Sequence, residues 1–540
     1  MAQHYIFMEG KRMKKKWGLG LLIAFVAVMI LQLPVSAANN TVQIQLCYIE
    51  GDQVKVAASG SAAGEDGQYY LFALKPYETE VGLRQDYCAV GTATASGIYF
   101  STALNLDTAA SQIYSRFVVT VKSGGRFVPV SNEMYILNPE AAATKATVSI
   151  SEATGNKKGI TAYWPYANLL SDLGVGYAGT TVDTANFFNG GGINFTYNGK
   201  VYSFNAVAVK ELDTIVSLYN AQNADICMIV VNSLSAGTAD MVHPGAVGTG
   251  KNPHYYSVNV TTQAGEEKFA AFMSFLANRY SGGKLGSVQS YVIGNEVNSS
   301  DSWHYAGEVP VELFAADYAT QFRVAYNAIK SHNSAANVYI CTDQRWTHCD
   351  GGSSYRGKDV IDGFNAEILR TGNIDWGLSF HPYAVPLTHS SFWTTAPGYG
   401  ALKLVDNTVN TKMITPLNMN VVTNYFQQPQ YLTRSGAVRN IIISELGFSS
   451  AGTGNDVNIQ AAAIAYSYKL IAANPYIKMV LYSAMLDIPE EVQQGLANGL
   501  LTSTGAPKPA YYVYQMVDRD SLNQYAPYVG VSSWSQLGLQ

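Results

Sequence analysis

From about residue 146 to residue 520 the chain repeats one unit eight times: a short apolar run followed by a longer stretch with helical spacing. That alternation specifies parallel strands joined by crossover helices, and eight units is the number a closed (β/α)8 TIM barrel requires. The expected strands are Gly159–Thr161, Val175–Thr180, Asp225–Val231, Val288–Glu296, Val338–Thr342, Asp375–Tyr383, Asn440–Glu445 and Ile477–Ala484. Helices are expected over Ala167–Leu173, Glu211–Ala221, Glu266–Tyr280, Ala316–His332, Lys358–Arg370 and Asn458–Ala473, with a closing helix in APKPAYYVYQMV. The segment GGINFTYNGKVYSFNAV, between the second and third units, reads as an inserted hairpin.

Residues 41–139 follow another rhythm. Runs such as TVQIQLCYIEG, DQVKVAASG, QYYLFAL and SRFVVTVKSGG are strand-length, partly alternating and cut by Gly, Ser and Asp, the pattern of a small antiparallel β-sandwich. NPEAAATK joins this front domain to the barrel of residues 146–520 as a linker or short helix, and residues 521–540 remain as a C-terminal extension. Residues 1–37 have the layout of a secretory signal peptide: Lys11, Arg12, Lys14, Lys15 and Lys16, an apolar run from Trp17 to Leu33, and the small residues Val35, Ser36, Ala37 and Ala38. Cleavage there gives a secreted or cell-surface protein, more acidic than the net charge of -5 of the whole chain. No second segment is long and apolar enough to span a bilayer, so no membrane association is expected after cleavage.

With 14% charged residues and a net charge of -5, the chain lacks the cationic surface that nucleic acid demands, and with 48% hydrophobic residues it is too apolar to be disordered. Low charge combined with 37 tyrosines points to a surface of Tyr, Asn, Ser, Thr and Gly that suits hydroxyl-rich ligands. The five cysteines show no CxxC spacing, and free buried thiols are the expected state; Cys47 with Cys88, or Cys341 with Cys349, are the pairs an oxidising compartment would offer. His243, His254, His304, His348 and His389 are scattered without a ligand spacing, so neither a metal nor another cofactor is expected. Nothing in the sequence sets an oligomeric state.

Catalytic groups of such barrels sit at the C-terminal ends of strands and just beyond. Glu296 ends the fourth expected strand, QSYVIGNE, and Glu445 ends the seventh, NIIISE. A lone NE or SE after an apolar strand is common and can merely close a helix N-terminus. Here the sequence resembles the clan of retaining (β/α)8-barrel glycoside hydrolases. In that clan an Asn-Glu pair after strand four supplies the acid/base and a Glu after strand seven the nucleophile. The resemblance rests on IGNEV, IISELG and GLLTSTGAPKPAYY within roughly residues 150–520. It implies Glu296 as acid/base, Glu445 as nucleophile and Asn295 as the partner of the sugar 2-hydroxyl. His381 and Tyr383, in FHPY after the sixth strand, resemble the clan segment that contacts the nucleophile, although His381 reads equally well as a hydrogen-bonded structural histidine.

Sugar faces stack on aromatic rings, and hydroxyls bind amides and carboxylates. Trp303, Trp346 and Trp393 follow strands four, five and six and are the stacking candidates, whereas Trp164 and Trp376, near strand starts, are expected in the core. The clan's tryptophan floor after strand eight is replaced by LYSAM, with Tyr482 in its place. Asn232, Asp343, Gln344, Arg345 and Asp487 are hydroxyl-binding candidates that could equally cap loops. The expectation is an exported retaining glycoside hydrolase acting on a β-linked oligo- or polysaccharide. A glycan-binding surface protein on an inactive barrel and a transglycosylase are the alternatives that the same residues leave open.

Overall fold

Unbroken apolar runs suit strands covered on both faces, and the computed structural model of the chain places eight of them in a ring. It describes residues 41–147, 149, 151–452 and 454–539; the leader expected over residues 1–37 lies outside the described residues. The front domain contains β1 (Val42–Glu50), β2 (Gln53–Gly60), β3 (Tyr70–Leu74), β4 (Ala89–Val90), β5 (Thr92–Thr94), β6 (Gly97–Ala103), β7 (Arg116–Ser123), β8 (Arg126–Pro129) and β9 (Met134–Tyr135). They form two antiparallel sheets, β1-β2-β6-β5 and β4-β3-β7-β8, with β9 paired to β7. Val42, Ile44, Val54, Val56, Phe117 and Val119 share the buried core of this sandwich.

The barrel closes in the order β10 (Lys158–Thr161), β11 (Tyr177–Asp183), β14 (Asp225–Val231), β15 (Ser290–Ile293), β16 (Asn337–Thr342), β17 (Gly377–Phe380), β18 (Ile441–Leu446) and β19 (Ile477–Tyr482), all parallel to their neighbours. β12 (Gly192–Tyr197) and β13 (Lys200–Asn205) are the inserted hairpin. Every strand thus lies where the periodicity put it, but the fourth and sixth are shorter than expected. The helix expected from Glu211 begins five residues earlier, at Ala206, because the Asn205 side chain accepts a hydrogen bond from Val207 N and caps it.

Side chains fill the barrel. Tyr177, Cys227, Ile229, Val292, Tyr339, Cys341, Ile442 and Leu481 form one buried cluster, the packed interior of a small barrel. Gly377 is a consequence of that packing: a Cβ there would lie 2.4 Å from the Tyr339 ring. Tyr177, Tyr219, Tyr280, Tyr291, Tyr305, Tyr318, Tyr339 and Tyr514 are each less than 2% exposed. Much of the tyrosine content is therefore core, which corrects the expectation drawn from composition alone. All five cysteines are free thiols, and among the described residues no helix is long and apolar enough to cross a membrane.

The sandwich rests on the helices that follow β14 and β15, Gln263–Arg279 and Val311–His332. The Tyr114 hydroxyl lies 3.1 Å from Ser274 Oγ, Asn327 Nδ2 donates to the Ile113 carbonyl at 2.8 Å, and the Arg323 guanidinium lies 5.0 Å from the centre of the Tyr135 ring. Opposite ends of the chain meet the barrel in the same manner. Beyond residue 520, Trp534 is 1% exposed, stacks on Tyr466 of helix Val457–Ala473 with ring centres 5.6 Å apart, and donates its indole N–H to the Leu522 carbonyl. Trp534→Ala is expected to cost about 3–5 kcal/mol by urea denaturation; a loss below about 1 kcal/mol would show that the tail contributes nothing to the barrel.

Candidate active site

The site begins where β15 stops. Gly294, with φ +80°, follows the strand, and Glu296 itself has φ +40°, a left-handed backbone that non-glycine residues rarely adopt. A Cβ on Gly294 would lie 2.8 Å from His304 Nδ1 and 2.9 Å from Val297 Cγ1, so a larger residue would force this turn apart. Ser299 N donates to the Glu296 carbonyl at 2.8 Å and closes the turn. The glutamate side chain, 13% exposed, is turned back toward the barrel axis, where it meets His381.

Glu445 is presented differently. In a regular strand Ser444 and Glu445 point to opposite faces, yet both touch the same histidine. The pairing of β18 with β19 shifts register between Ile443 and Leu446, and such an irregularity re-aims a side chain at the rim of a barrel. Ser444 Oγ lies 2.7 Å from His381 Nε2, and Glu445 Oε2 lies 3.5 Å from His381 Nδ1.

His381 is the hub. Its backbone N–H donates to the Thr342 carbonyl at 3.1 Å, prolonging the β16–β17 ladder. Its ring is fully buried, with Nδ1 2.7 Å from Glu296 Oε1 and Nε2 3.3 Å from Cys341 Sγ. Burial is the largest influence on this ring and opposes its charge. Cys341, Glu445 and the hydrogen bond to Glu296 outweigh it and hold His381 well above the ordinary histidine range. Tyr383 donates its hydroxyl to Glu445 Oε1; burial and the Glu445 charge keep that hydroxyl protonated far above its usual value.

Glu445 is 4% exposed, and its pKa is pushed up to about 8. Burial is the main cause and the charge of Glu296 adds to it, against the opposing pull of His381 and Tyr383. Glu491, in the short helix Pro489–Val492 after β19, also raises it. The site is therefore two carboxyls on one imidazole, built to keep a proton near neutrality. Next to Glu296, Asn295 is 4% exposed, and its Oδ1 has no hydrogen-bond partner among the described residues.

Glu296, Glu445, His381 and Tyr383, from three strand ends, converge as the sequence grouping implied. Trp303 ends the short helix Ser300–Trp303 after β15; it is partly exposed and stacks on His254 with centres 4.5 Å apart. Three further candidates have internal partners. Trp346 is 3% exposed, edge-on against Tyr425, and donates its indole N–H to the Val409 carbonyl; the long excursion before β18 folds back over it. Tyr482 is 2% exposed and its hydroxyl donates to the Asn498 and Phe448 carbonyls, so it braces the loop after β19. Asn232 is 2% exposed, accepting from the Thr184 hydroxyl and donating to the Met241 carbonyl. In this structure the polar atoms of these three side chains are engaged by the protein itself, which for Asn232 is the loop-capping alternative that the sequence left open.

Asp343 accepts from Asn298, Ser299 and Arg345, and Asp487 pairs with Lys508 at 2.9 Å, the loop-capping alternative in both cases. Trp393 packs edge-on against Phe392. Trp376 is core, 1% exposed, but Trp164 is 40% exposed on the rim beyond β10, contrary to expectation. Sequence reasoning missed Ser444 and Cys341. Cys341 could have been found from its spacing of two from Tyr339, which puts both on the inner face of β16. Among the described residues no group of three or more His, Cys, Asp or Glu side chains is arranged to hold a metal ion.

A family model, that of the family of unknown function DUF5722, matches residues 151–537. No curated protein matches the chain. Among solved structures the chain is similar to a family 39 glycoside hydrolase from the gut symbiont Bacteroides cellulosilyticus WH2, at 14% identity and a TM-score of 0.45, over 86% of this chain and 79% of that one. It is also similar to a hyperthermophilic beta-glucosidase from Pyrococcus furiosus, at 12% identity and a TM-score of 0.42, over 69% and 88% of the two chains. A third likeness is to the exo-beta-1,4-mannosidase Op5Man5 from Opitutaceae bacterium strain TAV5, at 13% identity and a TM-score of 0.41, over 67% and 59%.

Removing the Tyr383 hydroxyl takes away a donor that favours the ionised form of Glu445. Tyr383→Phe is expected to raise the Glu445 pKa from about 8 by about one unit, read by NMR titration of carboxyl-labelled glutamate; an unchanged or lower value would contradict the hydrogen bond.

Proposed function

The chain belongs to DUF5722, a family of unknown function, and from that premise we propose that it is a retaining glycoside hydrolase cleaving β-glycosidic bonds in an oligo- or polysaccharide. One observation carries the reading. A single nitrogen, His381 Nδ1, lies 2.7 Å from a Glu296 oxygen and 3.5 Å from a Glu445 oxygen, so those oxygens are no more than about 6 Å apart. That upper bound is compatible with the roughly 5–5.5 Å carboxyl separation of double displacement, and this supports the retaining reading.

In this mechanism Glu445 attacks the anomeric carbon while Glu296 gives its proton to the glycosidic oxygen, and the aglycone departs. Glu296, now ionised, takes a proton from water, whose oxygen attacks the same carbon and frees Glu445. The raised pKa of Glu445 supplies the one proton the pair needs. Positive charge growing at the anomeric carbon favours ionised Glu445, and the glycosidic oxygen, which gains negative charge as its bond to that carbon breaks, takes the proton from Glu296. Tyr383 holds the attacking carboxylate in place. Asn295, with its unpaired buried Oδ1, accepts from the sugar 2-hydroxyl, a contact that strengthens in the transition state. Residues 1–37 support placing this chemistry outside the cytoplasm, and an N-terminus at Ala38 or Asn39 in the exported protein would be the corresponding mature form.

Glu445→Gln and Glu296→Gln are each expected to lower kcat at least about 10³-fold. Azide should restore turnover of an activated aryl β-glycoside to Glu296→Ala, with NMR showing that the first-formed product keeps the β configuration. Full activity in either glutamine variant, or glycan binding with no release of reducing sugar from the native protein, would sink the assignment. The pH profile is a second check. As pH rises through about 8 the pair in the free protein loses its proton and no acid remains, so kcat/KM should fall on that limb; a kcat/KM profile flat to pH ~10 would contradict the one-proton pair.

A further inference from the structure

We propose that Tyr163 and Trp164 form a stacking platform for a sugar other than the one whose bond breaks, so that the preferred substrate is a β-linked chain rather than a single terminal glycoside. The inference rests on the glycosidase reading and extends it to the substrate's length. Trp164 is 40% and Tyr163 44% exposed, in and before a single 3-10 turn, Trp164–Tyr166, that buries none of its residues. Both rings thus keep a large apolar area in water that burial elsewhere in the fold would have removed. Among the described residues the Trp164 indole N–H and the Tyr163 hydroxyl have no hydrogen-bond partner, and Trp164 makes no ring contact. Their backbone is nonetheless held. Pro165 fixes its own φ in the turn, the Tyr163 and Tyr166 rings lie 6.0 Å apart at 30°, and Tyr166 abuts Gly505, where a Cβ would come within 2.6 Å of its hydroxyl.

Position supplies the second argument. Tyr163 follows Thr161, the last residue of β10, and so lies on the rim that carries the carboxyls. The ladder runs from Ile160 to Tyr482 and from Tyr482 to Leu446, the neighbour of Glu445. Two interstrand steps put the end of β10 roughly 10 Å round the rim from the end of β18, and the turn follows beyond that strand end. On this proposal a sugar ring bonded to Glu445 stops short of the platform, and a neighbouring residue of the same chain meets it. A pyranose with equatorial hydroxyls offers an apolar C–H face to the indole and phenol rings and hydroxyls at its edge to their N–H and O–H.

The test compares long and short substrates in native protein, Trp164→Ala, Tyr163→Ala and Trp164→Phe. Aryl β-monoglycosides and β-linked hexasaccharides of glucose, mannose, xylose and galactose serve as substrates. Gels cast with the corresponding polysaccharides measure binding by the Glu445→Gln protein with and without each change. Trp164→Ala is expected to lower kcat/KM at least about 10-fold for the cleaved hexasaccharide and leave the aryl monoglycoside within about 2-fold, with Trp164→Phe recovering most of the loss. Retardation in the matching gel should fall in parallel. Equal losses on both substrates, or no loss on either, overturn the platform while the hydrolase reading stands. If the native protein turns over none of these glycosides, the hydrolase reading fails, and gel retardation then decides the platform: retardation abolished by Trp164→Ala supports it, and none, or none that changes, overturns it.

Discussion

Closing eight parallel strands on one another is the constraint from which the rest follows. Once β10 pairs with β19, every strand ends on one rim, and residues far apart in sequence become neighbours whatever the loops do. Side chains fill the interior, so anything polar at the strand ends sits on a dry floor. The barrel thus supplies both proximity and low dielectric. The local devices, a left-handed turn at Glu296 and a register shift ahead of Leu446, only choose which side chains use them.

Low dielectric is hazardous for two carboxyls, because each resists the ionisation of the other. The structure answers with one imidazole between them and a layer beneath it. Ser444 and Cys341 occupy Nε2 on the inner side, which leaves Nδ1 facing the carboxyls. The hydroxyl of Tyr383 takes the other side of Glu445. Four strand ends, those of β15, β16, β17 and β18, thereby contribute to one hydrogen-bonded cluster, and a disturbance at any of them reaches the others. The front sandwich acts through the same chain of supports, because the helices it braces are those entering and leaving β15.

The barrel was legible because its signal is periodic and repeated: eight apolar runs between helical stretches survive errors of a few residues at any boundary. Glu296 and Glu445 were legible because a strand end has a known direction. What could not be read was the fate of side chains in the loops. Trp303 and Trp346 occupy similar places after neighbouring strands, yet only Trp346 is roofed, by a segment some sixty residues further on that meets its indole at Val409. Burial of that kind depends on a long loop's return path, which leaves no local pattern. Trp164 failed in the opposite sense. Its apolar character suggested core, but the three-residue β10–β11 pairing ends at Thr161 and releases the chain into solvent just before it. Tyrosine misled for a related reason, since an amphipathic ring is as much at home in a core with a carbonyl to meet as on a surface.

The seam between β10 and β19 also governs how the molecule comes into being. It joins residues 158–160 to residues 480–482, a contact separated by most of the chain, and such contacts form slowly because the intervening loop must be closed first. The sandwich, complete by Tyr135, can assemble while the remainder is still being synthesised. The barrel cannot close: until the eighth strand is made, β10 and β18 each keep one unpaired edge. The first strand therefore gains one neighbour, β11, early and its second, β19, only near the end of synthesis, and an already folded sandwich offers a surface against which the helices around β15 can pack meanwhile.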